Sequence, residues 1–401
     1  MSNIFISEMC QPPMENQQVE LVERKGIGHP DTMCDAIMEQ VSIDLCKEYK
    51  AVFNRVLHHN IDKGMLIAGR SEPFPGGGRV LEMMRILFGD RATSRFDGKR
   101  IDVGGIAEEA AKKWIRHNLR FVNPGHHIIF QNELKEGSLE LTSIFERQIV
   151  VASDTVAAVG YAPLTETERL VLAAERYLNS PEVKEKYPES GEDVKVMAYR
   201  HDRVLLLTVS LAFVARFVPD TKFYFERKEE IRQALEAHLS SQPHNMDSIR
   251  VMINTLDDPE RGNRGMYLTV LGTSAEGADG GQVGRGNKVN RLIAYNRPSS
   301  PEAVAGKNPV SHVGKIYSVL SFKIAEDICE HVSAVNEANV WLCSQIGQTI
   351  DKPLHASVQL SLHQGVTLND VQPQIETLFN ERLSQIYEFT QDLSDGKISV
   401  W

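Results

Sequence analysis

The chain has no apolar run approaching the ~20 residues that cross a membrane as a helix. Its first residues, "MSNIFISEMCQPPMEN", lack a basic segment leading into an apolar one, so no secretory signal is expected. Cysteines are few: five among 401 residues, at 10, 34, 46, 329 and 343, with no Cys-x-x-Cys. That scatter argues against a disulfide framework or a zinc ribbon. Free thiols in a reducing compartment are expected, and with them a cytoplasmic location. Positive charge is also in deficit, with 44 Lys and Arg against 54 Asp and Glu and a formal net charge of −10. A general nucleic-acid binder shows the opposite balance, so neither a nucleic acid nor a membrane is expected as a partner. Two catalytic signatures are missing. No nucleophile sits in a Gly-x-Ser-x-Gly elbow, and no Gly-x-x-x-x-Gly-Lys-Ser/Thr phosphate loop occurs.

What is present is an ordinary globular composition, 42% hydrophobic and 24% charged, and a length that allows two to four domains. An acidic protein still binds a polyphosphate if it gathers basic side chains or a metal ion locally. The informative places are therefore those where Lys and Arg meet glycines.

Helical periodicity predicts helices over 31–49, 106–119, 165–178, 228–239, 311–332 and 372–391. The third opens with a Thr-x-x-Glu capping pattern. Strand patterns cover 55–72 around a turn at Asp62-Lys63-Gly64, then 126–134, 147–162, a hairpin over 193–217, 248–256, 264–274 and 354–362. Strands arrive mostly in pairs with helices between the pairs. That is an α+β rhythm, not the strict alternation of a doubly wound fold. Weak segment boundaries fall at 1–150, 151–270 and 271–401.

Four segments carry chemistry. In "VERKGIGHPDTMCDAIMEQ" (22–40), Pro30 holds His29 extended, because the residue before proline avoids the helical region. His29 is expected on a strand-like lead-in, pointing away from the helix, with Asp31 as N-cap at a mouth that favours anions. The glycine-rich "GTSAEGADGGQVGRGNKVN" (272–290) follows a strand, as a ligand-cradling loop should, but a flexible surface loop has the same composition. In "AGKNPVSHVGK" (305–315), Lys307 stands beside a helix mouth that Ser311 or Asn308 is expected to cap. In "ASDTVAAVGYAPLTETE" (152–168), Asp154 interrupts an apolar run, where a carboxylate is costly unless it finds donors. A ribose contact and a satisfied structural aspartate both fit. The pairs His58-His59 and His126-His127 are poor metal sites, since neighbouring strand residues face opposite ways.

Together the four segments resemble the methionine adenosyltransferases, or S-adenosylmethionine synthetases, of the archaeal type. The marks are Gly-His-Pro-Asp-x-x-Cys-Asp at 28–35, Gly-Tyr-Ala-Pro-Leu-Thr-Glu-Thr-Glu at 160–168, Asp-Gly-Gly-Gln-Val-Gly-Arg-Gly-Asn at 279–287 and Gly-Lys-Asn-Pro-Val-Ser-His-Val-Gly-Lys at 306–315. The resemblance implies three similar lobes of mixed or antiparallel sheet with helices packed on one face, related by a pseudo-threefold. It implies a homodimer with active sites at the interface. The substrates implied are ATP and L-methionine, the cofactor Mg2+, and a further cation K+. The reaction implied gives S-adenosylmethionine, diphosphate and phosphate. Carried over by position, His29 contacts the triphosphate near the leaving oxygen and Asp31 binds magnesium. Glu23 matches an acidic site position, Asp154 an adenosine-contacting aspartate and Asp279 one near the methionine. Arg285 and Lys307 match phosphate-binding positions, and His312 falls near a second lysine of the widespread branch. Lys63 and Arg70 are further phosphate candidates, Arg200 and Arg203 weaker ones, and Asp62 is a metal candidate.

Three departures stand out. Asn60 replaces an acid that helps bind potassium in the widespread branch, with Asp62 close by. Gly314 stands about where that branch has a second magnesium aspartate. The turn Lys135-Glu136-Gly137-Ser138 lacks the first glycine that archaeal-type members often carry. A small-molecule kinase is the alternative that the same residue types allow, but it needs a base for its hydroxyl acceptor.

Overall fold

The computed structural model describes residues 4–138, 142–146 and 150–401. The alternating pattern after Asp193 forms a long hairpin, Ser190–His201 with Val204–Val214, turned at Asp202. This hairpin is the middle of a central sheet ordered Ser248–Ile253, Val204–Val214, Ser190–His201, Val19–Lys25, Ile293–Ala294, with Leu268–Thr269 beside the end of the second strand. A second sheet is ordered Ile4–Glu8, His355–Leu362, Val335–Cys343, Ala157–Ala162. A third is ordered Ile128–Asn132, Met84–Phe88, Met65–Ile67, Gly281–Gln282. Every one of the three sheets mixes parallel and antiparallel pairs and draws strands from distant parts of the chain, so the lobes interleave.

The longer helices are α1 (Pro30–Phe53), α2 (Val103–Asn118), α3 (Glu166–Leu178), α4 (Thr221–Ser240), α5 (Val313–His331), α6 (Leu368–Ser384) and α7 (Ile386–Ser394). Helices α3 and α4 cover the central sheet, α5 and α6 the second, and α1, backed by α2, the third. The α3 capping box forms as its sequence predicts, Thr165 and Glu168 exchanging bonds of 3.0 and 2.8 Å. One apolar core runs from α1 through α5 to Val400, and a separate one lies under the central sheet. The uncovered faces carry exposed apolar side chains, among them Leu21, Tyr199 and Met252 on the central sheet and Met65, Ile67 and Ile129 on the third.

Several local expectations are corrected. The strands either side of Asp62 do not pair with each other: His59–Asn60 pairs with Arg91–Ala92, and Met65–Ile67 with Met84–Phe88. The strand expected over 147–162 is reduced to Ala157–Ala162 with one bridge at Val151, and its start at 147–149 lies outside the described residues. His126 and His127 end a short helix that Asn123 caps and Pro124 opens. The strand expected over 264–274 is only Leu268–Thr269, and the last helical pattern is split at Gln385 into α6 and α7.

Gly160 shows how closely α5 lies on its sheet. A Cβ there would stand 2.2 Å from Phe322 N and 2.4 Å from Ser321 C, both backbone atoms that cannot swing aside. Gly160→Ala is expected to destabilise by about 1–3 kcal/mol or more, read as a lower denaturant midpoint. An unchanged midpoint would contradict this packing.

Candidate active site

Two helix mouths share one construction. At α1, the Gly26–Gly28 turn runs against the central hairpin, with Gly26 N donating to Val194 O (2.7 Å) and Gly28 N to Glu192 O (3.0 Å). A Cβ at Gly28 would sit 2.5 Å from Asp193 N, so only glycine allows this approach. His29 is extended (φ −70°, ψ 135°), as Pro30 requires. Its ring does not point away from the helix, however. Nδ1 accepts from Asp31 N at 3.2 Å, so His29 is the N-cap and Asp31 lies inside the first turn. At α5 the same thing happens: His312 Nδ1 accepts from Gly314 N at 3.2 Å. The expected caps are used earlier in the turn, where Asn308 Oδ1 accepts from Val310 N (3.1 Å) and from Ser311 Oγ (3.3 Å).

The caps determine the proton positions. Burial lowers the pKa of both rings, that of His312 to about 3. A neutral ring whose Nδ1 accepts a bond carries its proton on Nε2. Each mouth therefore presents one N–H donor from a neutral imidazole.

Around the α1 mouth, Asp31 Oδ2 meets Lys25 Nζ at 2.9 Å and Oδ1 accepts from Gln282 N at 2.9 Å. Lys25 also donates to Arg285 O at 2.8 Å. One turn further, Asp35 Oδ1 accepts from Gly284 N at 2.8 Å, and burial pushes its pKa up to about 7. Two carboxylates of α1 thus hold the glycine-rich loop. A Cβ at Gly281 would stand 2.1 Å from Pro30 O, which explains a glycine there. Asp193 accepts from Ser274 N (2.8 Å) and Oγ (2.5 Å), its pKa raised by burial and opposed by His29. Asp279 and Arg285 are exposed on the loop, and the Asp279 charge is felt at His29. Glu23 is buried on Val19–Lys25, facing Lys195 Nζ at 3.3 Å and the Tyr295 hydroxyl.

Around the α5 mouth, the Lys307 ammonium is buried between Asp62 Oδ2 (3.5 Å) and Glu302. Lys63 donates to Asp62 at 2.7 Å and lies 3.8 Å from Asp90. Asp62 Oδ1 is buried and receives no N–H or hydroxyl from the described residues. His312 Nε2 faces Asp154 Oδ2 at 3.8 Å. Asp154 is not in an apolar strand: the chain bends outward, leaving its side chain 53% exposed. His59 braces this turn from below, with Nε2 2.8 Å from Ser42 Oγ and Nδ1 3.2 Å from Asn308 Nδ2.

The two mouths are separate within one chain. Glu39 accepts from Gly306 N at 2.9 Å, and it lies eight positions after Asp31 on α1, about 12 Å along the axis. Arg70 borders the glycine-rich loop at Gly277, but its guanidinium is paired with Glu82 at 2.7 Å on an exposed hairpin. Arg200 is buried against Glu20 at 3.1 Å, and Arg203 is on the surface against Asp247 at 2.9 Å; neither joins a mouth. The sequence reasoning missed Lys25, Asp35, Asp193 and Glu302. Asp35 carried a signal, its four-residue spacing from Asp31 on one helix face. Among the described residues, the one His/acid group compact enough for a metal, Asp327 with Glu330 and His331, lies at the far end of α5, where Asp327 also pairs with Arg382.

Neutral N–H donors, lysines and carboxylates gather at two helix mouths of an α+β protein, a set of groups chemically suited to a polyanion and its counter-cations. The chain belongs to the S-adenosylmethionine synthetase (AdoMet synthetase) family, whose pattern matches residues 2–397. It is 44% identical over 403 residues to the S-adenosylmethionine synthase of Pyrococcus furiosus, covering 100% of this chain and 99% of that one. It is 41% identical over 403 residues to that of Methanothermobacter thermautotrophicus, covering 100% of each. A probable S-adenosylmethionine synthase of Aquifex aeolicus is 41% identical, covering 97% of each. Its fold is similar to that of an unusual S-adenosylmethionine synthetase from Campylobacter jejuni, with a TM-score of 0.63 over 94% of each chain at 16% identity.

The His312 ring takes up a proton on unfolding at any pH between its folded pKa of about 3 and the free value of 6.5. Stability should therefore fall as pH drops through that window. His312→Asn keeps a capping side chain but removes the titration. The slope of unfolding free energy against pH is expected to flatten by up to about 1.4 kcal/mol per pH unit. An unaltered slope would refute a buried neutral His312.

Proposed function

We propose that this chain is a methionine adenosyltransferase, which converts ATP, L-methionine and water to S-adenosyl-L-methionine, diphosphate and phosphate. The observation that carries the reading is the full-length family match, joined to two helix mouths that each offer a histidine donor and a lysine. The methionine sulfur displaces the triphosphate from the ribose 5′ carbon, and the tripolyphosphate is then hydrolysed.

A thioether has no proton to lose, so the first step needs no general base. The difficulty is charge collecting on the departing triphosphate, which is met by donors fixed in advance. His29 donates its Nε2 proton toward the leaving oxygen, its ring held by the bond to Asp31 N. Lys307, Arg285, Lys63 and His312 bind the phosphates, with Arg70 at the loop margin. Asp154 contacts the adenosine, Asp279 the methionine, and Glu23 lines the same site.

Asp31 and Asp62 would hold Mg2+, with K+ as a further cation near Asp62. The fit is supported by the ammonium that each already carries and by the buried Asp62 Oδ1, which receives no N–H or hydroxyl from the described residues. Bound magnesium supplies positive charge that offsets the triphosphate.

A homodimer is supported by the separation of the mouths and by the exposed apolar faces of two sheets. Pairing would set the α1 mouth of one chain against the α5 mouth of its partner. No helix among the described residues is long and apolar enough to cross a membrane, which is compatible with the cytoplasmic location proposed here.

Protein mixed with ATP, methionine and Mg2+ is expected to yield a sulfonium product by mass spectrometry and no ADP. ADP would point to a kinase instead. His29→Asn retains a cap and loses the Nε2–H donor, so turnover should fall by about 10²–10³ with an unchanged melting temperature. Wild-type turnover would remove His29 from the chemistry. Lys307→Ala should weaken tripolyphosphate binding more than methionine binding, and equal loss of both would count against a phosphate contact.

A further inference from the structure

Gly314 lies in the first turn of α5 and has no side chain, yet the space a side chain would use is filled. A Cβ there would stand 2.4 Å from Glu302 Oε1 and 2.9 Å from its Cδ. Glu302 comes from the irregular segment 298–304, where its backbone N donates to Ser300 Oγ at 3.2 Å. Its carboxylate reaches the α5 mouth from outside the helix and touches the Lys307 ammonium. Asp62 approaches that same ammonium at 3.5 Å. Two carboxylates of distant sequence thus converge on one cation in the floor of the site.

Two further facts point to a ligand rather than to a plain ion pair. Asp62 is 7% exposed, and its Oδ1 receives no N–H or hydroxyl from the described residues; the Asp90 carboxyl stands beside Asp62 instead, its own pKa pushed up to about 6 by burial and by that neighbour, so acid oxygens are crowded in a buried place. The lysine is also the residue least suited to remain there. If Lys307 turns to a bound triphosphate, Glu302 loses the one cation it touches and Asp62 keeps only Lys63, so the two carboxylates share a space that is short of one positive charge. Hard carboxylate oxygens beside phosphate oxygens are the donor set that magnesium or manganese takes.

We infer that Glu302 is a divalent-cation ligand of the triphosphate site, acting with Asp62, and that the Lys307 ammonium keeps the cation's place until the triphosphate draws the lysine away. This rests on the reading that the α5 mouth receives the triphosphate. It also accounts for Gly314, noted above as lacking the acid that the resemblance expects there. The carboxylate reaches the same space from position 302, and a glycine at 314 leaves room for it.

The test counts Mn2+ bound to the full-length protein with tripolyphosphate, by electron paramagnetic resonance and calorimetry. Glu302→Gln is expected to weaken one Mn2+ per site at least about tenfold, since even residues that only orient metal ligands cost that much. Glu302→Ala combined with Gly314→Asp, which returns a carboxylate to the same space from the helix, should restore it. Glu302→Gln should leave metal-free tripolyphosphate affinity unchanged or raised, because Lys307 is released. Mn2+ binding unaltered by Glu302→Gln overturns the inference and leaves Glu302 as a counter-ion of Lys307. Failure of the underlying reading shows differently: Lys307→Ala would then leave metal-free tripolyphosphate binding untouched.

Discussion

A buried ion pair between α1 and α5 sets the distance between the two mouths. Lys315 is fully buried, and its Nζ meets both oxygens of Glu39 at 2.8 and 2.7 Å. The same carboxylate accepts from Gly306 N at 2.9 Å, so one acid binds the base of α5 and the turn that carries Lys307. Removing one partner of such a pair leaves an uncompensated charge in the core, at a cost of about 3–5 kcal/mol. Its geometric role matters as much as its energy. Together with Ser42 of the same helix, which donates to Lys307 O at 3.2 Å, it fixes the turn at 306–308 against α1, the helix that carries Asp31 and Asp35.

A second constraint ties the lobes together farther out. Arg297 is buried, with Nε 3.1 Å from Glu168 and Nη1 2.9 Å from Glu337, the latter an ion pair without hydrogen-bond alignment. Its guanidinium lies 4.4 Å from the centre of the Tyr161 ring. Glu168 belongs to α3 on the central sheet, whereas Glu337 and Tyr161 belong to the second sheet. Interleaved strands and buried charges therefore bind the lobes into one structure, and the loop 272–290 is held between α1 and the central hairpin instead of hanging in solvent.

The histidine caps join folding to chemistry. A cap normally spends its side chain on the helix, but an imidazole has two nitrogens. Nδ1 satisfies an orphan N–H of the first turn, and burial keeps the ring neutral, so Nε2–H is left as an aimed donor. The same side chain that starts the helix thus decides which ring nitrogen keeps the proton.

Much of the fold could be read from residue patterns: α1, α2, α3 and α5, the hairpin after Asp193 and the α+β rhythm all follow from spacing. The segments around His29, Asp154, Asp279 and Lys307 also stood out, because Gly, Pro, Asp and Lys in those orders favour turns and helix mouths. Strand partners were not legible, since pairing of His59–Asn60 with Arg91–Ala92 depends on contacts distant in the chain. Nor were the caps, because serine, asparagine and aspartate cap by the same local geometry as His29 and His312. Asp193 and Glu302 gave no local signal at all; both gain meaning only from what folds against them. The sequence by itself determined which short segments bend, begin helices or admit close backbone approach, for these depend on φ, side-chain branching and spacing within a few residues. Only the tertiary structure decided which charges meet, because Coulomb contacts and burial are set by distances between elements that no local pattern encodes.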